Sequence, residues 1–259
     1  MDNNKWEIAD KWRDGRCEDK PQYQLHCDSN SLKNLQLREG CLAITAVCET
    51  PDTDRHRTDL LATDYTSASV VSTQDWTYGV FEVRAALPAG KLLRPVISLT
   101  ERNGTGGQID IVSNDQTPGV VISALVTDWS ADVEEWYYET NETLQHFHSY
   151  TIEWSEWAVD WFLDDSHYLS YNTSKQPFDR PFRLGLTLAV GADETVFPDQ
   201  SLSYKDYRRW NCSALIVDYV RVYQWVTDGQ NVGKSLHSNH TARNSPVSAR
   251  SVCQAIMSS

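Results

Sequence analysis

The sequence predicts an all-β sandwich or barrel on three observations. Short β-prone segments recur along the chain, turn residues separate them, and no long helical pattern competes. Leu42–Val47 is a short apolar run with branched residues. Tyr78–Leu87 alternates: Phe81, Val83, Ala85 and Leu87 share one face, Glu82 and Arg84 the other. Pro88-Ala89-Gly90 stops it. Gln108–Val112 and Val120–Val126 are strand-like. Tyr150-Ile152-Trp154 and Trp157-Val159-Trp161-Leu163 alternate around Ser155-Glu156, which reads as a hairpin with its tryptophans in the core. Phe182–Val190 is nearly continuous apolar, the pattern of a strand covered on both faces, and Ala214–Val226 closes the series. The expected organisation is one domain over residues 1–226, followed by a polar, weakly ordered tail over 227–259.

Composition narrows the function classes. A chain of 259 residues with 40% hydrophobic residues, 10 Trp and 12 Tyr buries a substantial core. The formal charge of −13 repels nucleic acid and anionic membrane but is indifferent to a neutral polysaccharide. No apolar run approaches the roughly 18–20 residues of a membrane span.

Six cysteines stand at positions 17, 27, 41, 48, 212 and 253, none in a C-x-x-C pair, which argues against zinc and redox motifs. Sequons occur at Asn103, Asn141, Asn172, Asn211 and Asn239. Together they favour a secreted, glycosylated, disulfide-bonded protein, although Met1–Asp10 is too polar for a secretory leader. If Leu42–Val47 is one strand, Cys41 and Cys48 lie about 23 Å apart at ~3.3 Å per residue, too far to bridge. Cys17–Cys27 is the plausible local pair.

Several segments carry a resemblance. They are Asn34–Gly40 running into Leu42–Ala46, Thr66–Thr73, Tyr78–Gly90, Phe147–Trp154, Phe182–Gly191 with Phe197-Pro198-Asp199, and Val217–Tyr223. In this order and spacing they resemble glycoside hydrolase family 16, the laminarinase type. The resemblance implies a jelly-roll β-sandwich of two curved antiparallel sheets, concanavalin A-like.

It also implies a catalytic strand patterned E-x-D-x-x-E or E-x-D-x-E. A retaining glycosidase needs a carboxylate nucleophile and a carboxylic acid about 5–5.5 Å apart. Alternate strand residues share a face, so the shorter pattern aligns its acids directly; the longer one needs a β-bulge. Here the strand reads Gly107-Gln108-Ile109-Asp110-Ile111-Val112-Ser113. Gln108 stands for the nucleophile. Ser113 stands for the acid in the bulged register, Val112 in the short one. Only Asp110 remains, and an amide and a hydroxyl cannot run the double displacement. Asp115 lies in a turn and is a poor substitute.

Where the family carries W-P-A-I-W, this chain has Arg94-Pro95-Val96-Ile97-Ser98, without the stacking tryptophans. Candidate sugar contacts are Gln108, Asp110, Arg94, Trp129 and Trp136. Asp110 is equally readable as a buried acid paired with Arg84 or Arg94. The resemblance places a structural calcium at Asp218 and the Gly40 carbonyl; no other cofactor is required. His146 and His148 lack a third ligand for a metal.

A silent member of this family resembles the β-1,3-glucan recognition, or Gram-negative-binding, proteins. That implies a secreted, non-catalytic receptor for microbial β-1,3-glucan, with immune-cascade proteins as partners. The alternatives are a hydrolase with displaced catalytic residues and an interaction domain that binds no sugar.

Overall fold

The computed structural model describes residues 2, 4–13, 16–17, 25–49, 65–102, 107–128, 132–173, 177–191, 202, 204–210 and 213–224. Its first strands are β1 (Trp6–Ile8), β2 (Trp12–Arg13), β3 (Arg16–Cys17), β4 (His26–Asp28), β5 (Leu35–Arg38), β6 (Cys41–Thr45), β7 (Val47–Cys48), β8 (Tyr65–Ser67) and β9 (Ser69–Ser72). Longer strands follow: β10 (Gly79–Ala86), β11 (Leu93–Glu101), β12 (Gln108–Ser113), β13 (Val120–Asp128), β14 (Asp132–Glu139), β15 (His148–Trp154), β16 (Ala158–Leu163), β17 (Ser166–Asn172) and β18 (Phe182–Val190). A short helix, α1 (Tyr204–Trp210), precedes β19 (Ala214–Tyr223).

Two seven-stranded antiparallel sheets make a jelly-roll sandwich. One is ordered β1-β9-β18-β11-β12-β13-β14, the other β17-β16-β15-β10-β19-β6-β5. A β2-β3 ribbon and a small β4-β8-β7 sheet flank them. Alternation explains the layering. On β10, Phe81, Val83 and Ala85 are fully buried between the sheets, while Glu82 and Arg84 face outward. Tyr150, Ile152, Trp154 and Trp161 meet them from β15 and β16. Each large apolar side chain so buried contributes roughly 1.5–3 kcal/mol. Gly79 opens β10 at φ 130°, where a Cβ would come within 2.6 Å of the Tyr223 carbonyl, so only glycine lets the strands approach.

Several expectations change. The Leu42–Val47 run is broken at Ala46: β6 joins a main sheet and β7 the small one. Cys41 and Cys48 are both free thiols, while Cys17 and Cys27 form the disulfide with Cα atoms 5.6 Å apart. β18 is covered on one face only, because Arg183, Gly185 and Thr187 alternate outward between buried Leu184, Leu186 and Leu188. Trp154 and Trp161 are core, but Trp157 sits in the β15–β16 turn, 62% exposed. Helix α1 was not anticipated. Its Trp210 packs beside Tyr65 and its indole N–H reaches the Lys91 carbonyl. Cys212, Cys253, Phe197-Pro198-Asp199 and the 227–259 tail lie outside the described residues. Among the described residues no helix is long and apolar enough to cross a membrane.

Candidate functional site

Strand β12 decides the site. Against β11 it pairs Gln108 with Thr100, Asp110 with Ser98 and Ser113 with Val96, and the register slips between Asp110 and Val112. Against β13 it pairs Asp110 with Ala124 and Ser113 with Ile122, slipping at the same place. One residue is therefore extra, a β-bulge at Ile111–Val112. Ile109, Ile111 and Val112 enter the core, and Gln108, Asp110 and Ser113 share the outer face of the first sheet. The bulged register holds, so Ser113 and not Val112 shares the face of Gln108 and Asp110.

Asp110 is the electrostatic centre. It is 3% exposed, and burial pushes its carboxyl up from 3.8 to about 6. Arg94 and the hydrogen bond from the Gln108 amide, at 2.5 Å, pull the other way without cancelling burial. The negative charge of Glu135 adds to the upward push. Of the two expected arginine partners, Arg94 is the one that acts on Asp110; Arg84 lies 2.6 Å from Asp218 instead. The Asp110 main-chain carbonyl, where the bulge interrupts the ladder, accepts the Trp161 indole N–H at 2.9 Å. The second sheet thus holds the site strand directly. The Ser113 hydroxyl and the Arg94 Nε are buried and have no hydrogen-bond partner among the described residues.

Glu135 and Tyr137 were not anticipated as site residues. They stand on β14, where Glu135 pairs with Ala124 and so lies in one cross-strand row with Asp110 and Ser98. Glu135 Oε1 is 3.8 Å from Arg94 Nη2, and its other oxygen accepts the Tyr137 hydroxyl at 2.9 Å. Tyr137 is 59% exposed, a ring free to stack. Strand alternation within Glu134-Glu135-Trp136-Tyr137-Tyr138 carried the signal, but either parity offered a carboxylate and an aromatic.

The remaining candidates separate. Trp136 is corrected: it lies on the opposite face of β14, against Trp161 and Tyr171 with ring centroids 6.1 and 5.0 Å away, and serves as packing. Trp129, Asn103, Asn211 and Asn239 lie outside the described residues. Asn141 and Asn172 are exposed. His148 is buried, bonded to Asp164 and to the Thr143 carbonyl, a structural role.

The described residues do not bear out the calcium expectation. Calcium takes 6–8 oxygen ligands, several of them carboxylates. Asp218 already has a cation, Arg84 Nη1 at 2.6 Å, with both side chains 19% exposed. Among the described residues no three His, Cys, Asp or Glu side chains cluster, so these residues do not fit the ion. A calcium chelator is expected to leave the melting temperature unchanged. Arg84→Met, which strands Asp218 beside buried Cys41, is expected to cost about 2 kcal/mol in urea unfolding.

The bulged strand with its three outward polar positions sits in a sandwich whose residues 39–205 match the model of the glycosyl hydrolases family 16. The chain belongs to that family. It is similar to a beta-glucanase of Rhodothermus marinus, 32% identical over 63% of this chain and 64% of that protein. It is also similar to the clotting factor G alpha subunit of Tachypleus tridentatus, 24% identical over 78% of this chain and 30% of that subunit. The chain thus spans less than two thirds of either relative. Among solved structures it resembles a glutamate-to-serine mutant of SCLam, a non-specific endo-beta-1,3(4)-glucanase of family GH16. That likeness has a TM-score of 0.66, 26% identity, and covers 86% of this chain and 89% of that one. The mutant presents 1,3-beta-D-cellobiosyl-glucose at its active site.

Proposed function

We propose that this chain is a non-catalytic member of family 16 that binds β-1,3-glucan or a related wall polysaccharide on the outer face of its first sheet. The observation that carries the reading is the Gln108–Asp110–Ser113 row. The two positions where the family resemblance puts the carboxyl groups of a retaining hydrolase hold an amide and a hydroxyl. Loss of chemistry need not mean loss of binding. The serine mutant of SCLam carries a glucan fragment at its active site. Here Gln108 is the partly exposed member of the row, and its amide can exchange hydrogen bonds with sugar hydroxyls. Tyr137 supplies an exposed ring for the apolar face of a sugar. The clotting-factor likeness and the secretory features support a recognition role beside immune-cascade proteins.

The test is pull-down on insoluble β-1,3-glucan with soluble laminarin as competitor, run beside a reducing-sugar assay. The expected result is competable binding and no sugar release. Tyr137→Ala is expected to weaken laminarin binding about tenfold, the loss of roughly 1.4 kcal/mol of stacking, read by calorimetry. A second reading, a hydrolase using Asp110 with Glu135, is favoured by the row those residues share. They stand two strands apart, so their Cα atoms are about 10 Å from each other at ~4.8 Å per strand, an awkward span for the retaining mechanism. Sugar release abolished by Glu135→Gln would establish that reading in place of the first.

A further inference from the structure

Trp157 is a large aromatic left 62% exposed in a tight turn, and no ring contact engages it among the described residues. Its main-chain carbonyl accepts the Thr173 N–H at 2.9 Å, and the next residue, Ala158, pairs with Asn172. Asn172-Thr173-Ser174 is a sequon, and Asn172 is exposed at the end of β17. The exposed indole therefore lies one residue from a glycan acceptor.

Position in the fold gives that acceptor a use. β14 and β17 are the outermost strands of their sheets. They lie side by side: Tyr138 stacks on Tyr168 at 4.5 Å and Trp136 packs on Tyr171. Outermost strands carry main-chain groups able to pair with another chain. Asn172 ends β17 beside the Glu134–Trp136 part of β14, and Asn141 follows the other end of β14. The two described sequons thus bracket one flank of the sandwich.

We propose that Asn172 is an N-glycosylation site whose first sugar packs on the Trp157 indole, and that glycans at Asn172 and Asn141 shield the β14–β17 flank from edge-to-edge association. In the transfer, the Asn172 amide nitrogen bonds to the anomeric carbon of an oligosaccharide carried on a polyprenyl pyrophosphate. The carbon–oxygen bond to the pyrophosphate breaks, the polyprenyl pyrophosphate leaves and the amide gives up a proton. Thr173 is buried in the fold, so transfer occurs on the extended chain before β17 docks. The apolar face of the sugar then covers an indole that is otherwise wet.

The experiment uses the full chain secreted from insect cells behind an export signal, with glycopeptide mass spectrometry. The Asn172 peptide is expected to carry a glycan that peptide-N-glycosidase removes, leaving aspartate. Asn172→Gln is expected to lower the melting temperature by about 2–4 °C in the wild-type background and to leave it unchanged in the Trp157→Ala background. It is also expected to speed aggregation measured by light scattering. An unmodified Asn172 peptide overturns the proposal. So does an equal loss in both backgrounds, which would mean that the sugar does not use the indole. Neither outcome decides glucan binding, which is read separately by the laminarin experiment.

Discussion

Trp161→Ala is expected to remove about 4–5 kcal/mol of unfolding free energy and to loosen the candidate site in the same step. Trp161 is fully buried between the sheets and packs on Trp136. Truncating a buried tryptophan costs about 3–5 kcal/mol in lost transfer energy and cavity. The indole N–H also donates to the Asp110 carbonyl at 2.9 Å, at the point where the β-bulge interrupts the ladder. Removing that donor leaves a buried acceptor unpaired, a further penalty on the order of 1 kcal/mol. Trp161→Phe separates the two effects, because it keeps most of the packing and loses the donor. It is expected to cost about 2 kcal/mol and yet to weaken laminarin binding. Urea unfolding followed by circular dichroism measures the first quantity and calorimetry the second. If Trp161→Phe leaves both unchanged, the indole bond does not hold the site strand.

The second large effect is on pH dependence. Asp110 has its carboxyl raised from 3.8 to about 6, chiefly by burial. Between these values the folded chain holds a proton that the unfolded chain has lost. The stability contributed by protonated Asp110 is therefore fully present below about pH 4 and is lost as pH rises through 6. A shift of about two units corresponds to about 3 kcal/mol. Asp110→Asn cannot ionise, so it lacks this slope. The stability difference between the variant and the wild type is expected to move by about 3 kcal/mol in favour of asparagine between pH 4 and pH 7, read by urea unfolding at each pH. A difference that stays flat would mean that Asp110 is not buried as an acid. The same titration bears on binding, since a protonated Asp110 can donate a hydrogen bond to a sugar and an ionised one can only accept.

Much of this was legible along the chain. The alternation of β10 over Phe81, Val83 and Ala85 placed its faces correctly, and the Ser155-Glu156 hairpin stands where its turn residues put it. Gln108, Asp110 and Ser113 on one strand are a matter of residue identity and need no coordinates. Other features were illegible for physical reasons. Trp157 shares the alternation of Trp154 and Trp161 in sequence, but the turn withdraws it from the sheet, and periodicity has no meaning where the chain reverses. The apolar run Phe182–Val190 reads as doubly covered, yet Gly185 and Ala189 are small residues on an outward face, which hydrophobicity alone does not distinguish.

Sequence by itself determined the all-β architecture, the family, and the run of Gln108, Asp110 and Ser113 along one strand. Those depend on residue identity and on the two-residue period of a strand, both of which are local. Tertiary structure alone chose the bulged register that puts Ser113 on the face of Asp110, set Glu135 and Tyr137 rather than Trp136 on that face, and brought Arg94 near both carboxylates. These outcomes depend on which strands become neighbours and where their ladder slips. Hydrogen bonds between residues far apart in the chain make that choice, and no short window of sequence contains both partners.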